Sequence, residues 1–447
     1  MKKVVTILLI VSVVFSFGGC RRVQAGSETE TLLTTTVTST AQPTQSATTP
    51  ATTETLPQET VPPETDPIFI PEWTEEERQR LWTPLCESFI YLRDLDKTTI
   101  LCQVPLGAEL LLHKWHGKFA LVSYNGQQGY VTANYIKPLD TEYFATRLTI
   151  LSPTTQYTYD QMVTDMAALQ AAYPNTITVS SIGTSELGRN IPVMIVGNPQ
   201  APNHVLLQGA MHAREHFTAW LLMAIADHSL YAKLLDEDVC YHVIPMSNPD
   251  GVCISQTQTL NDNQGEIYQS DIACDYTTYD GKTYAQKWKS NALGVDLNRN
   301  FPSGWEESLE HPLPSSERFR GSGPLCAAES KALADYTQGR HFSATLSFHS
   351  HGSVLYYAYG SKQPVNELSY SLALAVQQPT GYSPIGGYDG TSGAGYKDWA
   401  MDALGIPSIT VEIGSNSTPL ENRDLYNTFA RFEDFIPAID QWLNDTY

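Results

Sequence analysis

Cysteine and basic charge are both scarce in this chain, and long apolar runs are missing. The 447 residues hold seven cysteines, and no two of them stand in C-x-x-C spacing. That excludes the paired-thiolate pattern of zinc ribbons and fingers. Lys and Arg number 27 against 48 Asp and Glu, a formal net charge of -21. Such a balance argues against a nucleic-acid partner, whose phosphates attract clustered cations. The apolar run Val4–Phe17 is too short to span a bilayer. From Gln24 to Asp66 there is no aromatic residue. A stretch so dominated by Thr, Ser, Pro and Glu cannot bury enough apolar surface to offset its ordering entropy.

What is present suffices for more than one domain, and 42% hydrophobic composition supports a sizeable core. Lys2-Lys3 before the short apolar run predicts a signal peptide over 1–20, and Phe17-Gly-Gly-Cys20 resembles a bacterial lipobox. The expectation is an extracellular protein at the bacterial surface, touching the membrane only through a lipid on Cys20. Residues 21–71 are expected to be a disordered Thr/Ser/Pro-rich linker. Six further cysteines permit disulfides in an exported chain, with Cys86 and Cys102 the first pair to consider because they share one small domain. Short alternating runs at Val104–Gly107, Glu109–Lys114, Phe119–Tyr124 and Gln128–Val131 predict a small all-β barrel over 72–140. Phe119–Gly126 followed by Gly129–Tyr135 resembles bacterial SH3-like domains. That resemblance implies cell-wall binding, with a structural spacer as the other reading.

Beyond residue 150 strands alternate with helices. His204–Gln208, Val239–Pro245, Ala344–Phe348 and Ser408–Ile413 read as short strands, while Phe217–Leu235, Asn366–Gln378 and Arg423–Leu443 read as helices. The alternation predicts an α/β domain over 150–447 with a mixed or mostly parallel sheet. His212 and Glu215 fall in the turn after one strand, and His349 falls at the end of another. Both therefore reach the carboxyl edge of the sheet, where open α/β sheets bind ligands. Two imidazoles and a carboxylate are donors that zinc prefers, and three protein ligands leave a fourth position open. Glu412 is available as a general base, and Asn298-Arg299 could hold an anionic substrate end.

In that order, His212-Ala-Arg-Glu215, Gly294–Phe301, Phe348–Gly352 and Val411-Glu412 resemble the zinc metallocarboxypeptidases, from about Tyr157 to the C-terminus. The resemblance implies a mixed-sheet carboxypeptidase-like domain with one Zn2+ held by His212, Glu215 and His349. It implies Glu412 as catalytic base, Asn298 and Arg299 gripping a terminal carboxylate, and Arg214 contacting the substrate further upstream. An oxyanion-stabilising cation maps nearest to Lys289, where the family has arginine. A mobile tyrosine maps to Tyr388, with Tyr396 second, in a loop longer than the family's. Lys397 matches the base of the specificity pocket, where a lysine favours an acidic terminal side chain or another carboxylate such as that of diaminopimelate.

Two substrate readings follow. One is release of an acidic C-terminal residue from peptides; the other is cleavage of peptidoglycan stem peptides at a γ-D-glutamyl-diaminopimelate bond, which export and the SH3-like resemblance favour. A third reading, of another class, is a non-catalytic cell-wall-binding lipoprotein; the complete set of ligands and base stands against it. One rival metal pattern is also present. His212-Ala-Arg-Glu-His216 satisfies the H-x-x-E-H of inverted zincins, with both histidines as ligands and Glu215 as base. It requires both histidines on one helix, and it leaves His349, Glu412 and Asn298-Arg299 unexplained.

Overall fold

The computed structural model describes residues 73–447 apart from 86–87, 309–310, 387–392 and 416. The signal peptide, Cys20, the linker, Cys86 and Tyr388 all lie outside the described residues. No described helix is long and apolar enough to cross a membrane.

The alternating runs near the N-terminus build a curled antiparallel sheet. Its strands are β1 (Leu81–Pro84), β2 (Phe89–Arg93), β3 (Ile100–Pro105), β4 (Leu110–His116), β5 (Phe119–Tyr124), β6 (Gln127–Thr132) and β7 (Ile136–Pro138), in the order β3-β2-β6-β5-β4-β1-β7. Leu92, Val104, Leu110, Ala120, Val122 and Val131 turn inward as the period of two requires. Strands β1, β2 and β7 lie outside the predicted runs, the first two for a physical reason. All four residues of β1 are buried, so no polar face marks it, and Phe89 and Tyr91 put aromatics on the exposed face of β2.

This sheet is seated on the rest of the chain by a buried guanidinium. Arg431 donates from Nη2 to the Gly117 carbonyl at 2.9 Å and from Nη1 to the Thr380 carbonyl, and it lies 4.4 Å from the Trp115 ring centroid. Gly381 has φ +66°, and a Cβ there would lie 2.4 Å from the Trp115 carbonyl oxygen, so only glycine permits the approach.

The α/β domain is built on β8 (Ile177–Thr184), β9 (Asn190–Gly197), β10 (Asn203–Gln208), β11 (Val239–Ile244), β12 (Ala344–Ser350), β13 (Val354–Tyr356), β14 (Ser383–Ile385) and β15 (Ser408–Ile413). Their order is β14-β13-β15-β12-β10-β11-β9-β8. The four central strands β15, β12, β10 and β11 run parallel, while β13 and β9 flank them antiparallel. The helix Phe217–Tyr231 is buried nearly all round, which explains why it reads as a continuous apolar run. It ends four residues earlier than its apolar pattern, because Lys233 adopts a left-handed φ of 57°. The single helix expected over Arg423–Leu443 is two, Asn422–Ala430 and Phe435–Thr446. At the break Arg431 turns toward Gly117 while Phe432 packs on Phe348 and Tyr382, two adjacent side chains with different buried destinations.

One buried carboxyl gives this core a pH signature. Asp440 accepts a hydrogen bond from the Tyr241 hydroxyl, and burial pushes its pKa up to about 6. A carboxyl raised in the folded state contributes stability that is full below its unfolded pKa and is lost as pH climbs through the folded value. Asp440→Asn keeps the acceptor without the charge. It is expected to unfold on the order of 2 kcal/mol later than the wild type near pH 8, with the difference closing near pH 4, in denaturant titrations at both pH values.

Candidate metal centre and substrate cavity

The centre is assembled at the carboxyl rim of three adjacent strands. After β10 the chain turns at Gly209, where a Cβ would meet Leu222, the Pro245 carbonyl oxygen and the Thr218 hydroxyl, each at 3.0 Å. Thr218 Oγ1 donates to the Glu215 carbonyl and accepts from the Ala210 amide, both at 2.7 Å, and this locks the turn that presents His212 and Glu215. His349 pairs in register with Glu412 across the parallel strands β12 and β15, so the two side chains emerge together.

His212, Glu215 and His349 are all buried, and their donor atoms converge. His212 Nδ1 lies 3.0 Å from Glu215 Oε1, while His349 Nδ1 lies 3.0 Å from both His212 Nδ1 and Glu215 Oε2. The Ser350 amide donates to Glu215 Oε2 at 3.2 Å and fixes the carboxylate. Lone-pair atoms packed this closely share too few protons to satisfy one another. A dication removes the conflict, and ligand separations near 3 Å match a tetrahedral ion with roughly 2.0–2.1 Å bonds to nitrogen. These residues therefore fit zinc. Burial alone would raise the Glu215 carboxyl, but His212 and His349 hold it well below the ordinary range.

His216 does not join them. Its Nδ1 is buried without a hydrogen-bond partner, and burial drops its pKa to about 4. The inverted-zincin pattern fails because Ala213–Glu215 forms a single 3-10 turn with His212 as its N-cap, so the two histidines do not share an α-helical face.

Behind His212 stands Asp296, to which the Gly294–Phe301 motif alone assigns no role. Asp296 Oδ1 lies 3.2 Å from His212 Nε2. The same carboxylate accepts the Asn298 amide at 3.1 Å and the Arg318 amide at 3.0 Å, and Lys289 Nζ stands 3.8 Å away. Burial would raise this carboxyl too, yet Lys289, His212 and Arg299 keep it well below its usual value. A carboxylate on the far nitrogen of a ligand histidine sets its tautomer and orientation. The signal available was an acid wedged between apolar neighbours in Val295-Asp296-Leu297. Asp296→Asn is expected to weaken zinc binding roughly 10- to 100-fold in competition with a chromophoric chelator.

The predicted residues meet in a cavity of about 230 Å³ lined by His212, Lys289, Asn298, Arg299, Lys397 and Glu412, among others. The Lys289 carbonyl accepts the Ala213 amide at 3.0 Å, tying Lys289 to the first motif. Asn298 Oδ1 accepts the Tyr396 amide at 3.1 Å, tying the Asn-Arg turn to the helix Tyr396–Leu404 that carries Lys397. Lys397 is buried; its Nζ donates to the Ala358 carbonyl at 2.8 Å and lies 2.5 Å from Asp398 Oδ1. Asp398 is a second residue the sequence reading left without a role. Burial pushes the Glu412 carboxyl up to about 7, reinforced by Glu215 and opposed by His349 and Lys289.

Arg214 is not part of this lining. It faces a neighbouring cavity of about 510 Å³ past Ser350, where it donates to the Lys287 carbonyl at 3.0 Å and pairs with Glu317 at 3.2 Å. Tyr388 lies outside the described residues. Tyr396 is a core residue, its hydroxyl 3.1 Å from Thr337 Oγ1 and its ring against Phe301 and Trp399. Among the described residues Cys102, Cys240, Cys253, Cys274 and Cys326 form no disulfide with one another.

Comparison with known proteins agrees with this geometry. The chain is 32% identical over 279 residues to gamma-D-glutamyl-L-diamino acid endopeptidase 1 of Lysinibacillus sphaericus, a match covering 59% of this chain and 67% of that protein. It is 29% identical over 197 residues to carboxypeptidase B of Rattus norvegicus, covering 42% of this chain and 43% of the relative. The chain thus spans from under half to about two thirds of the length of these relatives. In structure it is similar to bovine thrombin-activatable fibrinolysis inhibitor, with a TM-score of 0.51 at 19% identity over 68% of this chain and all of the other, which supports the fold. A family profile described as zinc carboxypeptidase matches residues 162–441, well over half of the sequence, and the chain belongs to that family of zinc-dependent peptidases.

Proposed function

We propose that this enzyme cleaves peptidoglycan stem peptides at the bond between γ-D-glutamate and a diamino acid. The observation that carries the reading is the buried Lys397–Asp398 pair beside Asn298 and Arg299. The free end of a diaminopimelate side chain bears both an ammonium and a carboxylate, which suits a pocket holding one cation and one anion. Similarity to an enzyme named for a γ-D-glutamyl-L-diamino acid bond points the same way.

His212, Glu215 and His349 would hold the zinc, which supplies Lewis acidity to a carbonyl oxygen and to water. Glu412 accepts the proton of the attacking water and delivers it to the leaving amine. Burial raises this carboxyl, which favours its taking up and returning a proton. The Lys289 ammonium compensates charge on the tetrahedral oxyanion. Asn298 and Arg299 bind a carboxylate on the leaving residue, and Arg214 meets the acyl side in the neighbouring cavity. The same reading takes residues 1–20 as an export signal with a lipid on Cys20, and 72–140 as an SH3-like module that holds the enzyme to the wall.

Release of acidic C-terminal residues is the second reading, favoured by the buried Lys397 cation. Asp398 neutralises that cation, leaving little net charge to select on. Mass spectrometry of products from the zinc-loaded chain decides between them, using stem tripeptides and a peptide set varied at the C-terminal residue. Cleavage beside the diamino acid supports the proposal; release of Glu or Asp alone rejects it. Lys397→Met is expected to lower kcat/KM on stem tripeptide roughly 10- to 100-fold, the range for losing a hydrogen bond to a charged group.

A further inference from the structure

We propose a second metal site, formed by His204, Cys240 and His242 and suited to zinc. In the parallel pair β10/β11, His204 lies opposite Cys240, and His242 is two residues further on. Side chains two apart share a face, so all three stand on one side of the sheet. They sit near the starting end of β10, whereas the catalytic histidine follows its far end at Gln208, about 13 Å along the strand at about 3.3 Å per residue. The site is therefore separate from the catalytic centre.

The donor atoms are already gathered. The two imidazoles and the thiol place their ligand atoms within 4.8 Å of one another, and His204 Nδ1 is 2.8 Å from His242 Nε2. His242 Nδ1 lies 2.6 Å from the hydroxyl of Tyr336, itself buried, so the ring is held with Nε2 toward the cluster. Outer partners of this kind orient metal-bound histidines.

Two imidazoles and a thiolate are a zinc or copper(I) donor set, and the absence of a carboxylate from the trio disfavours calcium and magnesium. A cavity of about 350 Å³ lined by His204, His242, Arg340 and His341 offers an entry path. Water or His341 would complete the coordination. Binding releases the Cys240 thiol proton to solvent and staples β10, the strand that leads to His212, to β11.

The test uses the full chain, stripped with chelator and reloaded separately with Zn2+ and Co2+. Wild type is expected to bind two zinc ions, and Cys240→Ser and His349→Ala one each, with Cys240→Ser keeping peptidase activity. The cobalt forms of wild type and His349→Ala should show thiolate-to-cobalt charge-transfer absorption in the near ultraviolet, which the nitrogen-and-oxygen catalytic set cannot produce. Cys240→Ser should lack it. One zinc ion in the wild type, absence of the band, or a band persisting in Cys240→Ser overturns the proposal and leaves a plain His–His hydrogen bond. Should His349→Ala fail to fold, wild type and Cys240→Ser alone decide. Loss of all peptidase activity in the wild type with two ions bound would count against the proposed function and not against this site.

Discussion

Glu412→Gln is expected to keep zinc at wild-type affinity and to lose turnover by roughly 10²–10⁴-fold, the span attributed to a positioned general base. The expectation rests on where Glu412 stands. It pairs with His349 across β12 and β15 and lines the cavity beside Lys289, yet it is not one of the three converging ligand side chains. Glutamine has the same shape but cannot take up a proton at neutral pH, so the cavity survives while proton transfer does not. Metal analysis and steady-state kinetics on one preparation suffice. Loss of zinc would recast Glu412 as a ligand, and retained turnover would remove it from the chemistry.

The other large effect is expected from His349→Ala, which should lose zinc beyond the roughly 10- to 100-fold expected for an outer-partner change such as Asp296→Asn, and activity with it. His349 Nδ1 is 3.0 Å from both His212 and Glu215, so its removal leaves two donors and opens the site on the β12 side. The inverted-zincin pattern predicts the opposite, since it uses His212 and His216 and does not need residue 349. Equilibrium dialysis against zinc distinguishes them, and undiminished binding in the variant would return His216 to consideration. Circular dichroism of the variant confirms that metal loss does not come from unfolding.

Much of this centre was legible before any coordinates. Ligand chemistry is local to a residue type, and the turn after β10 and the end of β12 are marked by apolar runs that stop abruptly, so His212, Glu215 and His349 stand out as candidate ligands, while Glu412 takes its expected role from the family resemblance. Asp296 and Asp398 received no role for the converse reason. Each acts through a neighbour, His212 in one case and Lys397 in the other, and nothing in Val-Asp-Leu or Lys-Asp-Trp says which neighbour a buried carboxylate will meet. β1 and the break at Arg431 were missed because burial on both faces, or in two directions at once, erases the periodicity on which a sequence reading depends.

The sequence by itself determined the donor types, their order along the chain and the alternation of strands and helices, because these follow from side-chain chemistry and short-range period. Only the tertiary structure brings the distant His349 against Glu215 and leaves the adjacent His216 out of the cluster. His216 follows Glu215 in the chain yet is absent from the cluster, its Nδ1 buried without a hydrogen-bond partner, whereas His349, which is 134 residues from Glu215, lies 3.0 Å from it. The strand order β15-β12-β10 brings those residues to one rim, and that order is set by packing across the whole sheet rather than by any stretch of it.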